Sequence, residues 1–451
     1  MIRPIYVAIR NNAQYASQQI FNFNPGASGL SVRLLRRRFT SVHDNPMQNR
    51  AFAFILATLL IDAIGIGIVF PIMPDLMDRV GAASTAEGAI WAGVMMSAYA
   101  GAMFICGPAV GSLSDSIGRK PVLLAALALL AIDYVIMALA GTFWLLLIGR
   151  LVAGIAGSTY ITATAYISDI STKEEKAARF GMIGAAFGIG FVIGPALGGL
   201  AASIHITAPF WIAAALAGAN VLFGIFVLPE SLTPDKRRKM ARRDANPFAA
   251  ILIAFKMPGL AIPLVCLFTF EFANMVYVSL WAFWTREVFG WGAALIGTSL
   301  AIYGVMLAGV HGGLMPLFIR RLGEIRTLWL GMASAIIGLT GFGFTGSLVA
   351  LGVFLVIAAL SDMTPPLITA MASNLVDEDR QGMLQGVIAS LASVAAVVAP
   401  LILTAVFGWF SGPEAVIYFP GAPFLMSALL IAALIPLVWR LSQRVDLTKA
   451  P

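Results

Sequence analysis

Charge is scarce in this chain: Asp, Glu, Lys and Arg make up 11% of its 451 residues, against about 25% in an ordinary soluble domain. That excludes a water-soluble globular domain. Cysteine is nearly absent. Cys106 and Cys266 both lie inside apolar runs, where they act as small core residues and give no disulfide framework. No nucleophile–base arrangement and no cluster of metal ligands stands out, so neither an enzyme nor a resident metal is expected. The apolar runs lack the every-second-residue alternation of a membrane barrel. The fragments Gly65–Gly67 and Gly188–Gly190 have no strand before them and no suitably spaced acid after them, which argues against a dinucleotide loop.

What fills the chain is apolar length. Hydrophobic residues make up 59%, and stretches of about 20 residues, enough to cross a bilayer, follow one another from Arg50 onward. In lipid a helix satisfies its own backbone groups, so the expected fold is an all-α membrane protein. Twelve spans are read: 51–74, 89–111, 121–140, 142–164, 177–202, 207–229, 257–283, 293–318, 326–346, 348–371, 382–408 and 416–440. A basic linker, 230–256, with Lys236-Arg237-Arg238-Lys239 and Arg242-Arg243, divides a bundle at 47–229 from a second at 257–440, and a tail follows at 441–451. An offset of 205 residues superposes Gly118 on Gly323, Gly181 on Gly386 and Pro195 on Pro400, as in two pseudo-repeated six-helix bundles. Lys and Arg crowd the loops after the even-numbered spans, and the opposite loops hold only Arg79 and Arg286. Both termini and the linker are therefore expected in the cytoplasm. The formal charge of +7 reflects this bias and not a nucleic-acid partner. Residues 1–46 carry Arg3, Arg10, Arg33 and Arg36-Arg37-Arg38 with no acid before Asp44, a composition that resembles an organellar transit peptide. A disordered arm, or a start at Met47, is the other reading, and the short lead Met47-Gln48-Asn49-Arg50 favours it.

Between spans 2 and 3 stands Gly111-Ser112-Leu113-Ser114-Asp115-Ser116-Ile117-Gly118-Arg119-Lys120. Gly111 and Gly118 allow tight turning, and Arg119 and Lys120 anchor the loop at the surface. Asp115 can cap a helix end or pair with a basic group across the bundle. A pairing made in one state and broken in another biases a rocking equilibrium; a purely topogenic turn is the alternative. After span 8, Arg320 stands where the repeat places Asp115. The pattern Gly-x-Leu-x-Asp-x-x-Gly-Arg-Lys resembles the signature loop of the major facilitator superfamily, transporters that rock between inward-open and outward-open states. The resemblance implies a substrate site between the two bundles near the bilayer midplane.

Span 5 contains Gly190, Gly194, Pro195, Gly198 and Gly199. Small residues allow close helix contact, and proline favours a kink. Gly-x-x-x-Gly-Pro-x-x-Gly-Gly resembles the helix-5 motif of facilitator antiporters, which implies efflux. The span-1 run Asp62–Pro74 and the span-4 run Arg150–Gly157 are similar to motifs of the drug/proton antiporters. Charges in mid-span are the sharpest clues, because an isolated one costs about 2.5–3.5 kcal/mol on insertion scales. Asp62, Asp133, Arg150, Glu271 and Asp362 qualify, as does the polar His311. They form the candidate substrate and proton pathway; structural pairing, such as an Asp–Arg bridge between helices, stays open.

The likeness narrows to the tetracycline/proton antiporters through Gly118–Leu124, Asp133-Tyr134, Ile148–Ile155, Leu228-Pro229-Glu230-Ser231 and Val376–Gly386. By that resemblance Asp62 and Asp133 match membrane carboxylates needed for transport, and Asp115 and Arg119 match the gating loop. The second half departs: the family's helix-8 His aligns with Leu307, one turn before His311, and its helix-9 Asp aligns with Ala335. Asp362 in span 10 and Glu271 in span 7 are the acids present instead. The expectation is a monomeric transporter in a bacterial inner membrane that exports a small, mostly apolar, tetracycline-like or multidrug compound in exchange for protons. It needs no cofactor, and a divalent cation enters only within a chelated substrate. The rivals are an importing facilitator or proton symporter, and a membrane sensor that binds a ligand without turnover.

Overall fold

Each of the twelve expected spans corresponds to a helix among the residues the structure describes. The structure is a computed structural model that describes residues 46–157, 159–237, 259–377 and 380–448. The N-terminal arm before Pro46, the linker residues Lys239, Arg242 and Arg243, and the last three residues of the tail lie outside the described residues. Among the described residues, twelve helices are long and apolar enough to cross a membrane. They are α1 (Asn49–Arg79), α2 (Thr85–Ile117), α3 (Arg119–Leu139), α4 (Phe143–Ile170), α5 (Ala178–Ala202), α6 (Ala208–Val227), α7 (Ala261–Phe289), α8 (Ala293–Leu322), α9 (Glu324–Phe344), α10 (Leu348–Ser373), α11 (Gln381–Ser411) and α12 (Ala422–Gln443).

Several helices run past the apolar segment that marks them, because capping continues the backbone ladder beyond the hydrocarbon. Ser84 accepts from the Glu87 amide at the start of α2, and Thr172 and Glu175 form a reciprocal capping box ahead of α5. Span 12 is corrected at its start. The chain before Gly421 forms a turn, in which the Phe419 amide donates to the Phe410 carbonyl, and α12 begins only at Ala422. Gly118 and Gly323 both have positive φ, +113° and +81°, a conformation side chains disfavour. They make the same abrupt turn between α2 and α3 and between α8 and α9, as the 205-residue repeat requires.

The repeat also fixes how the halves meet. α2 packs on α11, and α5 packs on α8. A Cβ at Gly93 of α2 would lie 3.0 Å from the Pro400 carbonyl of α11, and one at Gly297 of α8 would collide with the Pro195 carbonyl of α5. Each proline carbonyl is thus met by a glycine of the other half. Pro195 does not interrupt its helix, which runs unbroken from Lys173 to Ala202. Gly190, Gly194 and Gly198 abut Ala63, Ile64 and Ile68 of α1, while Gly199 abuts Ala293 of α8. The span-5 motif therefore joins two neighbours at once.

These close contacts lie toward the end away from the Gly111–Lys120 loop. Toward the loop end the space beside Gly181, Gly184 and Gly188 on α5, Gly309, Gly312 and Gly313 on α8, and Gly382 and Gly386 on α11 is open. The second half is stiffened by aromatics: Trp284 lies 5.0 Å from Phe424 and Trp281 lies 5.5 Å from Phe342, centroid to centroid. Such contacts tie α7, α9 and α12 into one body.

Candidate functional site

Three polar groups stand out against the apolar packing. The first is the Gly111–Lys120 loop. Among the described residues Asp115 does not pair across the bundle, one of the two roles the sequence suggested for it. Its Oδ1 lies 2.5 Å from Nη2 of Arg119, just across the Gly118 turn. Arg119 makes the cross-bundle contact instead, with Nε 3.2 Å from Asp169 Oδ2 at the end of α4. Its Nη1 donates to Ser114 Oγ at 2.6 Å. Glu230, just beyond α6, accepts from the Arg119 amide at 2.8 Å and from the Lys120 amide at 3.1 Å. A carboxylate there satisfies two otherwise orphaned donors at the start of α3. Gly118 makes room for it, since a Cβ would collide with the Glu230 carboxylate. Lys120 reaches the Ile225 carbonyl at 2.9 Å, and Ser231 donates to Asp169 at 3.1 Å.

The second group lies inside the first half. Asp133 on α3 is wholly enclosed and is paired with Arg150 on α4 through Oδ2 and Nη2. Gly149 presses against Asp133 Oδ1, so the absence of a side chain there lets α4 approach. The Arg150 guanidinium lies 6.0 Å above the Tyr99 ring of α2. Tyr99 and Tyr134 lie within electrostatic reach of Asp62, Asp133 and Arg150. Asp62 on α1 is buried, and its Oδ1 has no hydrogen-bond partner; Asp133 Oδ1 and Arg150 Nε also lack one. Unpartnered buried polar atoms are costly unless a proton, water or ligand completes them.

The third group lies in the second half. Asp362 sits where α10 is interrupted between Ser361 and Thr364, and its Oδ2 accepts from Tyr303 of α8 at 2.6 Å. Tyr277 of α7 stacks on Tyr303 with centroids 6.3 Å apart, and its hydroxyl has no partner. Glu271, on α7, is half-buried. His311 is exposed, in a π-type turn from Val310 to Leu314 that interrupts α8. Ala335 is buried in α9. Among the described residues no set of three or more His, Cys, Asp or Glu could hold a metal ion.

The sequence profile described as Major Facilitator Superfamily matches residues 55–400. The chain belongs to that superfamily. It is similar to the class C tetracycline resistance protein of Escherichia coli, 39% identical over 80% of this chain and 90% of the relative. The class G tetracycline resistance protein of Vibrio anguillarum is 35% identical over 79% and 91%. Among solved structures, a bacterial homolog of the human lysosomal transporter Spinster superposes with a TM-score of 0.69 over 89% of this chain and 98% of that one, at 14% identity. This facilitator is thus a membrane transporter and not an enzyme. It stands beside the tetracycline resistance proteins of the drug-efflux branch.

The structure brings together several residues singled out in sequence, Asp133 with Arg150 and Asp115 with Arg119; Asp362 instead meets Tyr303. It leaves Asp62 without a hydrogen bond on Oδ1. Sequence reasoning missed Asp169, Tyr99 and Tyr303 altogether, and it gave Glu230 no role. Glu230 carried a signal: an acid just past the end of a span, in the same surface layer as the amides it caps.

Proposed function

We propose that this facilitator exports a small, mostly apolar compound of tetracycline-like or multidrug character in exchange for protons, by alternating access. The enclosed Asp133–Arg150 pair carries the reading, together with buried Asp62, whose Oδ1 has no hydrogen-bond partner. A buried carboxylate with an unfilled oxygen is held by a proton or by an incoming cation, and competition between the two couples their movements. Protonation neutralises the acid and favours return of the empty carrier, a shift of population by a ligand. Asp362, hydrogen-bonded to Tyr303, is the acid the second half offers where Ala335 leaves none. The span-5 glycines favour export over import, and the tetracycline resistance relatives point the same way. Both termini lie in the cytoplasm of a bacterial inner membrane, by the distribution of Lys and Arg. A single chain carries both halves of the pathway, so the unit is a monomer. The experiment is tetracycline-induced proton movement in everted vesicles. Wild-type protein is expected to release protons from the vesicle lumen when tetracycline is added, and Asp133→Asn is not. Tetracycline uptake with no proton movement would defeat the coupling, and no uptake of tetracycline or of a panel of drugs would defeat the export reading.

A further inference from the structure

A cleft of about 740 Å³ opens between α9 and α10. Its walls are Ile336, Ile337 and Phe344 of α9 and Ala350 and Phe354 of α10, with the hydroxyls of Thr340, Thr345 and Ser347 among them. None of the described residues that line it is charged. Residues 336, 337, 340, 341 and 344 fall on one face of α9 at about 3.6 residues per turn. The buried Ala335, Leu339 and Phe342 fall on the opposite face, where Phe342 packs on Trp281, Trp284 and Phe424. α9 rests on α8, α10 and α12, and α10 on α7 and α8, all of the second half. The cleft therefore opens away from the core and from the first half, on a surface that the bilayer covers. Local sequence shapes it. The absence of a side chain at Gly341 admits the Phe354 ring, with which a Cβ would collide. Thr345 donates to the Ser347 carbonyl and accepts from the Ser347 amide, so the turn satisfies its own polar groups. Phe419, in the chain before α12, packs on Phe344 at 5.5 Å between centroids and fixes that ring at the mouth.

We propose that this cleft is a lipid site, which takes one acyl chain of a phospholipid from the leaflet on the side away from the Gly111–Lys120 loop. Its length matches that occupant. The turn between α9 and α10 lies on that side, since successive spans reverse the chain. Ile336 lies nine residues before Thr345, about 13–14 Å along the helix at 1.5 Å per residue. Half of a hydrocarbon core of about 30 Å is about 15 Å. The cleft thus begins at the membrane surface and ends near the midplane, the reach of one leaflet's chain. Its chemistry matches too. Apolar walls with hydroxyls and no fixed charge offer nothing to an ion or an aqueous solute, and they leave the headgroup to the solvent. The site therefore recognises the chain and not the head. Its volume falls within the range of about 300–1,000 Å³ of ligand-sized clefts, and left empty its lining would forfeit dispersion contacts. The proposal does not depend on the direction or coupling of transport.

The test is photolabelling of the full chain in vesicles that contain a trace of phospholipid with a diazirine on one acyl chain, the modified residues being mapped by mass spectrometry. A diazirine near the chain end should mark Ile336 and Ile337, and one near the ester should mark Phe344 and Ala350. Ile132 and Leu139 of α3 are the control. The 205-residue offset places them at Ile337 and Phe344, and both are exposed. Lipid tails are as apolar as the helices, so packing alone favours the cleft, and its labelling should exceed that of α3 by about threefold. Phosphatidylethanolamine and phosphatidylglycerol probes should label it equally. Ala350→Phe fills the cleft and should bring its labelling down to that of α3, with α3 unchanged. Cleft labelling no higher than that of α3, full labelling in Ala350→Phe, or a strong preference for one headgroup would overturn the site. Loss of cleft labelling as protein density in the vesicles rises would give this face to a second copy of the chain, and would overturn it as well. The wild-type labelling decides the question even where Ala350→Phe does not fold.

Discussion

Arg150→Gln is the most informative single substitution. Asp133 has no exposed surface, and among the described residues Arg150 is its one cationic partner; the side chains are 0% and 12% exposed. Asp133 Oδ1 is already without a hydrogen bond, so removing the guanidinium leaves an enclosed carboxylate with nothing to offset its charge. Breaking a buried pair from one side costs about 3–5 kcal/mol, which is about two to four orders of magnitude in the folding equilibrium. The loss of the cation above Tyr99 adds only about 0.5–2 kcal/mol, so the stranded charge dominates. Asp133→Asn with Arg150→Gln removes both charges and should recover most of the stability, because a neutral pair can hydrogen-bond. The assay is denaturant-induced unfolding of the purified protein in detergent at pH 8 and pH 5. The single variant should be markedly less stable than the double at pH 8. The gap should narrow as pH falls, since a proton then takes the place of the arginine. Equal stability of the single and double variants at pH 8 would show that Asp133 is not held as an anion by Arg150, and the account of the first-half site would be wrong.

Asp115→Asn keeps the shape of the Gly111–Lys120 loop and removes the charge facing Arg119; if the loop gates the switch between states, ligand binding and expression should stay near normal while exchange slows severely, as measured by counterflow in vesicles. Gly297→Leu forces a side chain against the Pro195 carbonyl and should lower stability by about 1–3 kcal/mol; Gly309→Ala, with open space beside it, should be neutral or slightly stabilising by thermal melt. Asp362→Asn should abolish drug-induced proton movement in everted vesicles while leaving the melting temperature within a few degrees of wild type. Retained coupling would make Asp362 a structural acid.

How much of this was legible in the chain depends on the kind of neighbourhood involved. Depth in the membrane is written in the sequence. α3 ends at Leu139 and α4 begins at Phe143, so residues equally far from this short turn lie at equal depth. Asp133 lies six residues before it and Arg150 seven after it, about 9–11 Å along each helix at 1.5 Å per residue. Their pairing could have been read directly, because consecutive antiparallel helices are neighbours as well as level. The glycines at 118 and 323 were legible for a similar reason, since a turn that tight restricts its own residues. Lateral order is different. Tyr303 and Asp362 meet from helices that are not consecutive in the chain, as do Arg286 and Asp75. Each pair shares a depth, but which helix stands beside which is decided by packing between the halves. That packing runs through the Gly93–Pro400 and Gly297–Pro195 contacts, whose meaning appears only when both repeats are superposed in space. Asp75 and Asp78 on α1 and Arg286 on α7 read separately as ordinary surface anchors. Only the meeting of the two halves turns them into a single bridging contact, which is why contacts between repeats are harder to foresee than charges within one.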